Sequence, residues 1–398
     1  MGSKVLILCL DMDFTDPPWD KNTGAGHLYV KECVEILKEK HIETLAICRR
    51  NAKEKPEREL FWSVTLQRIQ IWEKELQNKE WLLNQEDDIN ETINCVLQQN
   101  QFSPDLIHAF YWYSWRAGVY LKKKYPNTKL IYSIISLGKI KHQRQKELSF
   151  HDNERERNEQ IIFNEAKHIL AVSTQEKENT HKLYNIPESK ISVVGRGVDI
   201  NLFTHDVFAL KNSLLFVGRL IPSKGYDWVL KIYEALLQKR GKRTPRLFLI
   251  WGTFKEIVEV QRQISSPILL NAQKEWKIIW KGKVERAELP IYYNQSYLTL
   301  VPSYYEPWAR VILESMACGT PVIMTPTGYA DELIETNINW YVAPFLDFDA
   351  WLNIIERHLD KKKLQSTMII TARQSILRQF SMQVFNARQW NIYKTFIP

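Results

Sequence analysis

Two glutamates in the second half of the chain are spaced so that both carboxylates can serve one ligand. Glu306 and Glu314 are separated by seven residues within VPSYYEPWARVILESMACGTPV. Pro307 suits the first turn of a helix and Gly319 suits its end, so the predicted helix carries Glu306 at its start and Glu314 about two turns on. Carboxylates accept hydrogen bonds from hydroxyl groups, and the N–H groups of residues 308–311 favour an anion. An ordinary acidic first turn is the alternative.

Two basic residues follow a predicted strand in a second segment, LLFVGRLIPSKGYDWVL. The strand ends at Gly218, and Arg219 and Lys224 lie in the short loop before the next helix. A guanidinium fork and an ammonium point charge near a helix start suit a diphosphate. Two solvated loop cations are the alternative.

The elements that must position these residues are strands and helices in alternation, which predicts doubly wound parallel sheets. Each strand is a short, almost wholly apolar run, as expected of a strand buried on both faces. The predicted strands are Lys4–Leu10, Glu43–Cys48, Leu106–Ala109, Lys129–Ile135, His168–Ser173, Ile191–Val194, Leu214–Gly218, Arg246–Gly252, Lys277–Trp280, Leu298–Pro302 and Pro321–Met324.

The alternation falls into two series, which predicts two Rossmann-like domains and a last helix. The predicted segments are an N-terminal domain over 1–205, a C-terminal domain over 206–380, and an aromatic-rich helix over 381–398 that packs back on the first domain. Residues from about 51 to 100 are polar with spaced apolar positions, and they predict one or two inserted amphipathic helices. A cationic helix facing a membrane is the alternative for this insert.

Composition narrows the classes of protein. The 398 residues contain five Cys without CxxC spacing, which excludes a disulfide framework and a cysteine zinc site and suits a reducing cytosol. No apolar run approaches the ~20 residues of a membrane helix, and the first run is too short for a signal peptide, so we expect a cytoplasmic protein. The net charge of +8 favours anionic partners. No nucleic-acid-binding motif accompanies it, so we expect no nucleic-acid partner, while weak association with a membrane surface stays open.

The two segments together resemble the retaining glycosyltransferases of family four. The resemblance rests on F-V-G-R-L with K-G at 216–225 and on the E-x₇-E element at 306–314. It implies the GT-B fold, in which two Rossmann-like domains face a cleft and the C-terminal helix crosses back to the N-terminal domain. It also implies transfer of a hexose-type sugar from a nucleoside-diphosphate sugar, with UDP-sugar favoured, to a hydroxyl of a small molecule or glycan. Retention of configuration without a metal or other cofactor is expected.

The resemblance also assigns roles to residues. Arg219 and Lys224 would neutralise the leaving diphosphate, Glu306 would bind hydroxyls of the transferred sugar, and Glu314 would bind the ribose hydroxyls. His108 is a candidate catalytic residue, with a packed core histidine as the alternative. The other implied donor-binding residues are Gly24, Ala25, Gly26, Gly218, Lys283, Val284, Trp308, Ala309, Arg310 and Val311.

Some positions depart from the family pattern. Phe110 replaces the second His of H-A-H, Ile135 precedes Ser-Leu-Gly, and Ala309 stands where a glycine is usual. These changes concern sugar positioning, and the missing second histidine motivates one alternative, a non-catalytic partner that binds a nucleotide sugar. The net charge of +8 and the 14 Trp motivate another, a peripheral membrane enzyme with a lipid acceptor. Asp11 and Asp13 form a D-x-D after the first strand, and we interpret them as a polar loop rather than a metal site.

Overall fold

The chain folds into two compact α/β units. The computed structural model describes residues 2–16, 25–50, 55–70, 86–144, 150–304, 306, 308–328 and 340–398. One unit consists of Met1–Gly195 together with Phe385–Pro398, and the other of Arg196–Val384. The predicted boundary at 205/206 therefore lies within the second unit.

The first unit is built on an eight-stranded sheet. Its strands are β1 (Lys4–Cys9), β2 (Glu43–Arg49), β3 (Arg58–Phe61), β4 (Val64–Ile69), β5 (Leu106–Phe110), β6 (Lys129–Ser133), β7 (His168–Ala171) and β8 (Ile191–Val193). The helices of the described residues are α1 (Ala25–Glu39), α2 (Glu86–Gln99), α3 (Tyr111–Lys124), α4 (Gly138–Arg144), α5 (Phe150–Glu165) and α6 (Thr174–Tyr184), with a 3₁₀ turn at Glu188–Lys190. The strand order is β3-β4-β2-β1-β5-β6-β7-β8. Every pairing is parallel except that of β3 with β4.

The second unit is built on a six-stranded parallel sheet. Its strands are β9 (Ser213–Val217), β10 (Arg246–Ile250), β11 (Ile278–Gly282), β12 (Ser296–Val301), β13 (Val322–Met324) and β14 (Tyr341–Val342), in the order β11-β10-β9-β12-β13-β14. The helices among its described residues are α7 (Tyr226–Arg240), α8 (Phe254–Gln263), α9 (Pro267–Lys274), α10 (Leu289–Asn294), α11 (Arg310–Ala317), α12 (Phe348–Asp360) and α13 (Lys362–Gln379), with 3₁₀ turns at Pro222–Lys224 and Gly241–Arg243. The last helix, α14 (Met382–Phe396), belongs to the first unit from Phe385 onward.

Central strands of both sheets are buried throughout, which explains their apolar sequences. Every residue of β5 and of β9 is buried. Each apolar run predicted as a strand is a strand of the structure, with ends that differ by a few residues. In the second sheet β9 lies between β10 and β12, so the connections from β9 and from β12 leave in opposite directions. Such a switch point opens a crevice at the carboxyl ends of the strands, where doubly wound folds bind ligands.

The C-terminal helix α14 packs mainly with the first unit, far from it in sequence. The ring of Phe385 meets that of Tyr29 edge-on at 6.0 Å between centroids. The Tyr29 hydroxyl donates to Gln389 Oε1 at 3.1 Å, and Tyr393 Oη lies 2.8 Å from His108 Nδ1. Both apolar and polar contacts therefore bind the end of the chain to α1 and β5.

The predicted helical insert is wrong over residues 58–69. These residues form the hairpin β3–β4, and β4 extends the sheet by parallel pairing with β2. The reason is visible in β4, where buried Val64 and Leu66 alternate with half-buried Thr65 and Gln67, a period of two that suits a strand. Helix α2 agrees with the prediction, whereas the parts of the insert at 51–54 and 71–85 lie outside the described residues.

Asp13 lies in the loop after β1, which agrees with the polar loop predicted there, but it is buried rather than exposed to solvent. Its side chain is fully buried and ion-paired with Arg68, whose Nε lies 2.6 Å from Oδ2. Lys55 Nζ donates to the same oxygen at 3.1 Å, while Thr15 donates to Oδ1 through its backbone N–H and its hydroxyl. Burial alone would raise the pKa of Asp13, but the hydrogen bonds from Thr15 and Arg68 outweigh it and lower the pKa. These hydrogen bonds and ion pairs connect the loop after β1 to the hairpin β3–β4.

Arg68→Met should destabilise the protein by about 3 kcal/mol, because removal of one partner leaves a buried charge behind. The lowered pKa of Asp13 adds stability that is fully present above its ordinary value of 3.8 and is lost as the pH falls through the folded-state value. Urea unfolding between pH 3 and 7 should therefore show a weaker acid dependence in Arg68→Met than in the wild type.

Arg157→Met is the matched control, because the Arg157 side chain is 76% exposed on α5. It should change the free energy of unfolding by less than about 0.5 kcal/mol. Equal stability of the two variants, with the same acid dependence, would show that the buried network contributes nothing.

Candidate functional site

The loop after β9 and the loop after β12 lie against each other at the carboxyl edge of the second sheet. Gly225 has a φ of +73°, and a Cβ there would clash with the carbonyl oxygen of Pro302. The backbone N–H of Tyr304 donates to the carbonyl of Ser223 at 3.0 Å. Glycine is required at position 225 both for its backbone conformation and for this close approach. The contact brings the two predicted motifs together within one unit.

Lys224 and Glu306 meet at this contact and form an ion pair. The Lys224 side chain is 25% exposed and that of Glu306 13% exposed, so the pair lies at the edge of the protein. Arg219 is exposed on the same loop, and no ion pair of its guanidinium occurs within the described part of the chain. The predicted diphosphate residues and the predicted sugar-binding glutamate are therefore neighbours. A diphosphate at this edge would compete with Glu306 for the Lys224 ammonium.

Glu314 lies deeper, on α11, and both of its carboxylate oxygens accept hydrogen bonds. Arg286, in the loop between β11 and α10, donates to Oε1 from Nε at 3.3 Å and from Nη2 at 3.0 Å. Tyr293, on α10, donates its hydroxyl to Oε2 at 3.2 Å. Two other segments of the second unit thus donate hydrogen bonds to this one carboxylate.

The helix that carries Glu314 begins later than predicted. Its first residue is Arg310, while Ala309 is the N-cap with extended backbone and no side-chain cap. Glu306 therefore lies in the preceding loop and not on the helix, and Pro307 lies outside the described residues. The Trp308 ring packs on that of Phe380, with 5.8 Å between the ring centroids, and is buried. The Trp308 side chain is therefore a packed residue of the second unit.

The other predicted donor residues lie at several places. After β11, Val284 is buried and Lys283 is exposed. At the end of β11, the Gly282 carbonyl accepts a hydrogen bond from the backbone N–H of Trp251 at 2.7 Å. Gly218 donates to the carbonyl of Ile250 at 3.1 Å, so the carboxyl ends of β9, β10 and β11 meet. Arg310 is buried with Nη1 3.5 Å from the carbonyl of Gly197, and Val311 is half-buried.

The predicted glycine-rich turn belongs to the first unit. Gly24 lies outside the described residues, and Ala25 is the first residue of α1. Gly26 follows in the helix, where a Cβ would come 3.2 Å from the Cγ2 atom of Ile135. Ile135, one of the departures from the family pattern, therefore lies against the start of α1, and a side chain at position 26 would require it to shift by a few tenths of an ångström.

The catalytic prediction for His108 does not agree with its surroundings. The ring has no exposed surface. Its Nδ1 lies 2.8 Å from Tyr393 Oη, and its Nε2 lies 2.7 Å from Ser133 Oγ. Ser133 Oγ lies 2.8 Å from the hydroxyl of Tyr29, so the histidine is part of a buried polar chain inside the first unit. We therefore assign His108 a structural role, the alternative that its position on a strand left open.

His108→Asn should lower the melting temperature and leave kcat per folded enzyme nearly unchanged. A buried network that loses one partner costs about 1–3 kcal/mol of stability. Loss of a general base would instead lower kcat by about 10²–10⁴-fold. Differential scanning fluorimetry and a turnover assay on the same sample separate the two results, and a kcat loss of that size at full folding would restore the catalytic role.

Arg286 and Tyr293 are the residues at this site that sequence reasoning did not find. Arg286 is only two residues beyond Val284, which the family resemblance places among the donor-binding residues. Nothing in the local pattern distinguishes it from the other cations of that loop. Its partner Glu314 is 28 positions away, and only folding brings the two together.

The described residues contain no group of three or more His, Cys, Asp or Glu side chains arranged to hold a metal ion. None of their helices combines the length and the apolar character needed to cross a bilayer.

Two protein-family models match the chain, and the boundary between them lies close to the boundary between the two units. Residues 28–202 match the model described as Glycosyltransferase Family 4, and residues 202–375 match Glycosyl transferases group 1. A D-inositol 3-phosphate glycosyltransferase of Thermobispora bispora is 25% identical over 381 residues, which cover 90% of this chain and 87% of the relative. An uncharacterised glycosyltransferase of Methanocaldococcus jannaschii is 25% identical over 246 residues, and the match spans only 60% of that relative.

Solved structures agree over almost the whole chain. Sucrose-phosphate synthase from Thermosynechococcus elongatus has a TM-score of 0.84 at 21% identity, covering 99% of this chain and 98% of that one. Anabaena HepE in complex with UDP-glucose has a TM-score of 0.71 at 17% identity, covering 98% and 99%. These likenesses show the fold and confirm the GT-B prediction. The chain therefore belongs to the glycosyltransferases of the GT-B fold, with a Family 4 domain followed by a group 1 domain.

Proposed function

We propose that the chain transfers a hexose-type sugar from a nucleoside-diphosphate sugar to a hydroxyl group of a small-molecule or glycan acceptor, with retention of configuration. UDP-sugar is the favoured donor. The observation that carries the proposal is the meeting of Lys224 with Glu306, beside exposed Arg219, at the carboxyl edge of the second sheet. The UDP-glucose complex of HepE supports the donor class. The names of the T. bispora relative and of sucrose-phosphate synthase support a small hydroxyl-rich acceptor.

Different residues would bind the diphosphate of the donor and its sugar and ribose hydroxyls. Lys224 and Arg219 would neutralise the diphosphate as it departs, and the start of α11 would add its favourable dipole. Glu306 would accept hydrogen bonds from hydroxyls of the transferred sugar. Glu314, held further inside, would accept hydrogen bonds from the ribose. No metal ion is part of the proposal, since the cations and the helix take its role.

In the proposed reaction the bond between the anomeric carbon and the β-phosphate oxygen breaks, and a bond to the acceptor oxygen forms on the same face of the sugar. The acceptor's hydroxyl proton passes to an oxygen of the leaving diphosphate. No side-chain base is required, which agrees with the burial of His108. Stabilisation of the leaving group and close placement of the acceptor carry the rate.

Thermal unfolding with UDP, GDP, ADP or TDP, each with and without EDTA, tests the donor site. A ligand at a hundred times its Kd adds about 2.7 kcal/mol to the folded state, which is a readily measured shift. We expect a shift with UDP that EDTA does not change. No shift with any of the four nucleotides would contradict the proposal.

An assay of nucleoside-diphosphate release then distinguishes a transferase from a non-catalytic protein that only binds the nucleotide sugar. The purified protein is incubated with the donor sugar of the identified nucleotide and a panel of hydroxyl acceptors. We expect product formation that depends on the acceptor. Tight nucleotide binding without turnover on the whole panel would favour the non-catalytic alternative.

A further inference from the structure

The hairpin β3–β4 exposes three large apolar side chains in a row, Leu60, Phe61 and Trp62, which form an apolar turn. Leu60 is 67% exposed, Phe61 41% and Trp62 89%. Only Trp62 and Ser63 lie between the two strands, and Trp62 has a φ of +58°, where glycine, asparagine or aspartate is usual. Three consecutive exposed apolar residues add nothing to the core and are typical of a contact surface.

The apolar turn lies at the amino edge of the first sheet, where the parallel strands begin. Val64 of β4 lies beside Thr44 of β2, and the carbonyl of Ser63 accepts a hydrogen bond from the N–H of Thr44 at 2.8 Å. Strand β1 begins at the same level, with Lys4 beside Glu43. Because β5, β6, β7 and β8 run in the same direction, their first residues follow along this edge.

Lysines are concentrated along the same edge, at strand starts and at the ends of the helices that lead into them. They are Lys40 after α1, Lys122, Lys123 and Lys124 at the end of α3, Lys129 at the start of β6, Lys167 before β7 and Lys190 before β8. Burial and the charges of Lys122 and Lys167 lower the pKa of Lys190. These three ammonium groups therefore lie close enough to repel one another.

The carboxylates of the amino edge neutralise only part of this charge. Glu43 pairs with Lys4 at 3.0 Å, Glu165 with Lys122 at 3.4 Å and Glu91 with Lys124 at 3.6 Å. Within the described part of the chain, the lysines of this edge that pair with no carboxylate are Lys40, Lys123, Lys129, Lys167 and Lys190, whereas Glu39 and Asp105 are the carboxylates that pair with no lysine side chain. The edge is therefore positively charged as well as apolar at the turn.

We propose that the amino edge of the first sheet docks on a membrane surface that contains anionic lipids, with the apolar turn inserted among the headgroups. Tryptophan favours the interface between water and lipid, and lysines are attracted to anionic headgroups. With about 4.8 Å between neighbouring strands, the edge from β4 to β8 extends about 29 Å. A charge spread over that distance suits a bilayer surface, which needs no matching pocket, better than a single small anion.

The inference concerns where the protein is held and goes beyond the proposed sugar transfer. The candidate donor site belongs to the second unit, whereas the proposed docking edge consists of residues of the first unit. Substitutions at the docking edge should therefore leave the melting shift with UDP unchanged. A wild type that binds anionic vesicles but shows no shift with UDP would contradict the proposed function alone.

Co-sedimentation of the full chain with lipid vesicles tests the inference. The vesicles contain phosphatidylcholine alone or equimolar phosphatidylcholine and phosphatidylglycerol, at about 25 mM or about 500 mM salt. We expect the wild type at low salt to bind the anionic vesicles at least about tenfold more tightly than the neutral ones, because each lysine near an anionic surface adds to the attraction. High salt should weaken this binding, since it screens the lysines.

The apolar turn is tested by the double variant Leu60→Ser/Trp62→Asn. Both side chains are exposed, so the variant should fold, and it should bind anionic vesicles about tenfold or more weakly because less apolar surface enters the interface. Trp276→Asn is the matched control, since Trp276 of the second unit is 72% exposed and has a φ of +57°. It should bind the vesicles as the wild type does.

The lysines are tested by Lys129→Glu/Lys167→Glu, which reverses two exposed charges of the docking edge. Binding to anionic vesicles should weaken by about tenfold or more. The control Lys231→Glu/Lys274→Glu changes the net charge by the same amount through two exposed lysines of the second unit. Because those lysines lie outside the docking edge, the control should weaken binding by about twofold at most.

Three results would overturn the inference. One is failure of the wild type to bind anionic vesicles at low salt. Another is an equal loss of binding in a variant and its control, because this would show adsorption of a basic protein without a preferred face. The third is a dimer in analytical ultracentrifugation that Leu60→Ser/Trp62→Asn converts to a monomer, which would assign the apolar turn to contact with a second copy of the chain.

Discussion

Lys224→Met should lower kcat for sugar transfer by about 10²–10³-fold, as the loss of one pre-oriented charge at a transition state does. The ammonium lies at the carboxyl edge of the sheet and pairs with Glu306. As the diphosphate departs, its negative charge grows, and the ammonium stabilises that charge more than the ground state. The fall should therefore appear in kcat and in kcat/KM alike. Steady-state rates of diphosphate release measure both.

The matched control is Lys231→Met, which removes an exposed lysine on α7. It lies in the helix that follows the loop of Lys224 and should leave both kinetic constants unchanged. Since Lys224 is only partly buried, we expect both variants to fold and to melt within a few degrees of the wild type. A Lys224→Met enzyme with wild-type kcat would remove the central residue of the proposed site.

Glu314→Ala and Glu306→Ala should separate nucleotide binding from transfer. We expect Glu314→Ala to raise the Kd for UDP by about 10–100-fold, because hydrogen bonds to a charged acceptor contribute about 1.5–3 kcal/mol. Glu306→Ala should leave the UDP affinity equal to that of the wild type or tighter, since its loss frees the Lys224 ammonium for the diphosphate. Transfer by Glu306→Ala should nevertheless fall strongly. Calorimetric titration and a transfer assay give the two quantities.

Because Glu314→Ala also removes the partner of Arg286, its folding has to be measured beside its binding. Glu314→Gln keeps the volume of the side chain and removes only the charge, so it serves as the second variant. Equal affinity for UDP in the wild type, Glu306→Ala and Glu314→Ala would reject the assignment of the two glutamates. Weak binding in Glu306→Ala alone would exchange their roles.

The sheets could be predicted from sequence because a strand that is buried on both faces has to be apolar along its length. The runs at β1, β5 and β9 show this, and each is fully or almost fully buried. The hairpin β3–β4 was not predicted from the sequence. Its charged and exposed residues obscure the alternation of apolar and polar residues and resemble the polar face of a helix. An edge strand buries only one side, so its composition carries less information.

Some features of the candidate site could likewise be predicted from the sequence, and others could not. Gly225 could be recognised from its motif, and its positive φ and its contact with Pro302 give the physical reason. The start of α11 could not be placed, because Pro307 fits a first turn whereas the packing of Trp308 on Phe380 accompanies extended backbone up to Ala309. His108 could not be distinguished from a catalytic residue, because its partner Tyr393 is 285 positions away.

Local pattern by itself determined the two α/β series, the loop with Arg219 and Lys224 after β9, and the spacing of Glu306 and Glu314. These features depend on neighbours within a few residues, where backbone preference and burial act directly. Only the tertiary structure decided that Lys224 pairs with Glu306 and that Arg286 and Tyr293 donate hydrogen bonds to Glu314. The same is true of the contact between Tyr393 of α14 and His108. Those contacts join residues far apart in the chain. Charge, hydrogen bonding and packing select such partners only after the sheets have brought them within reach.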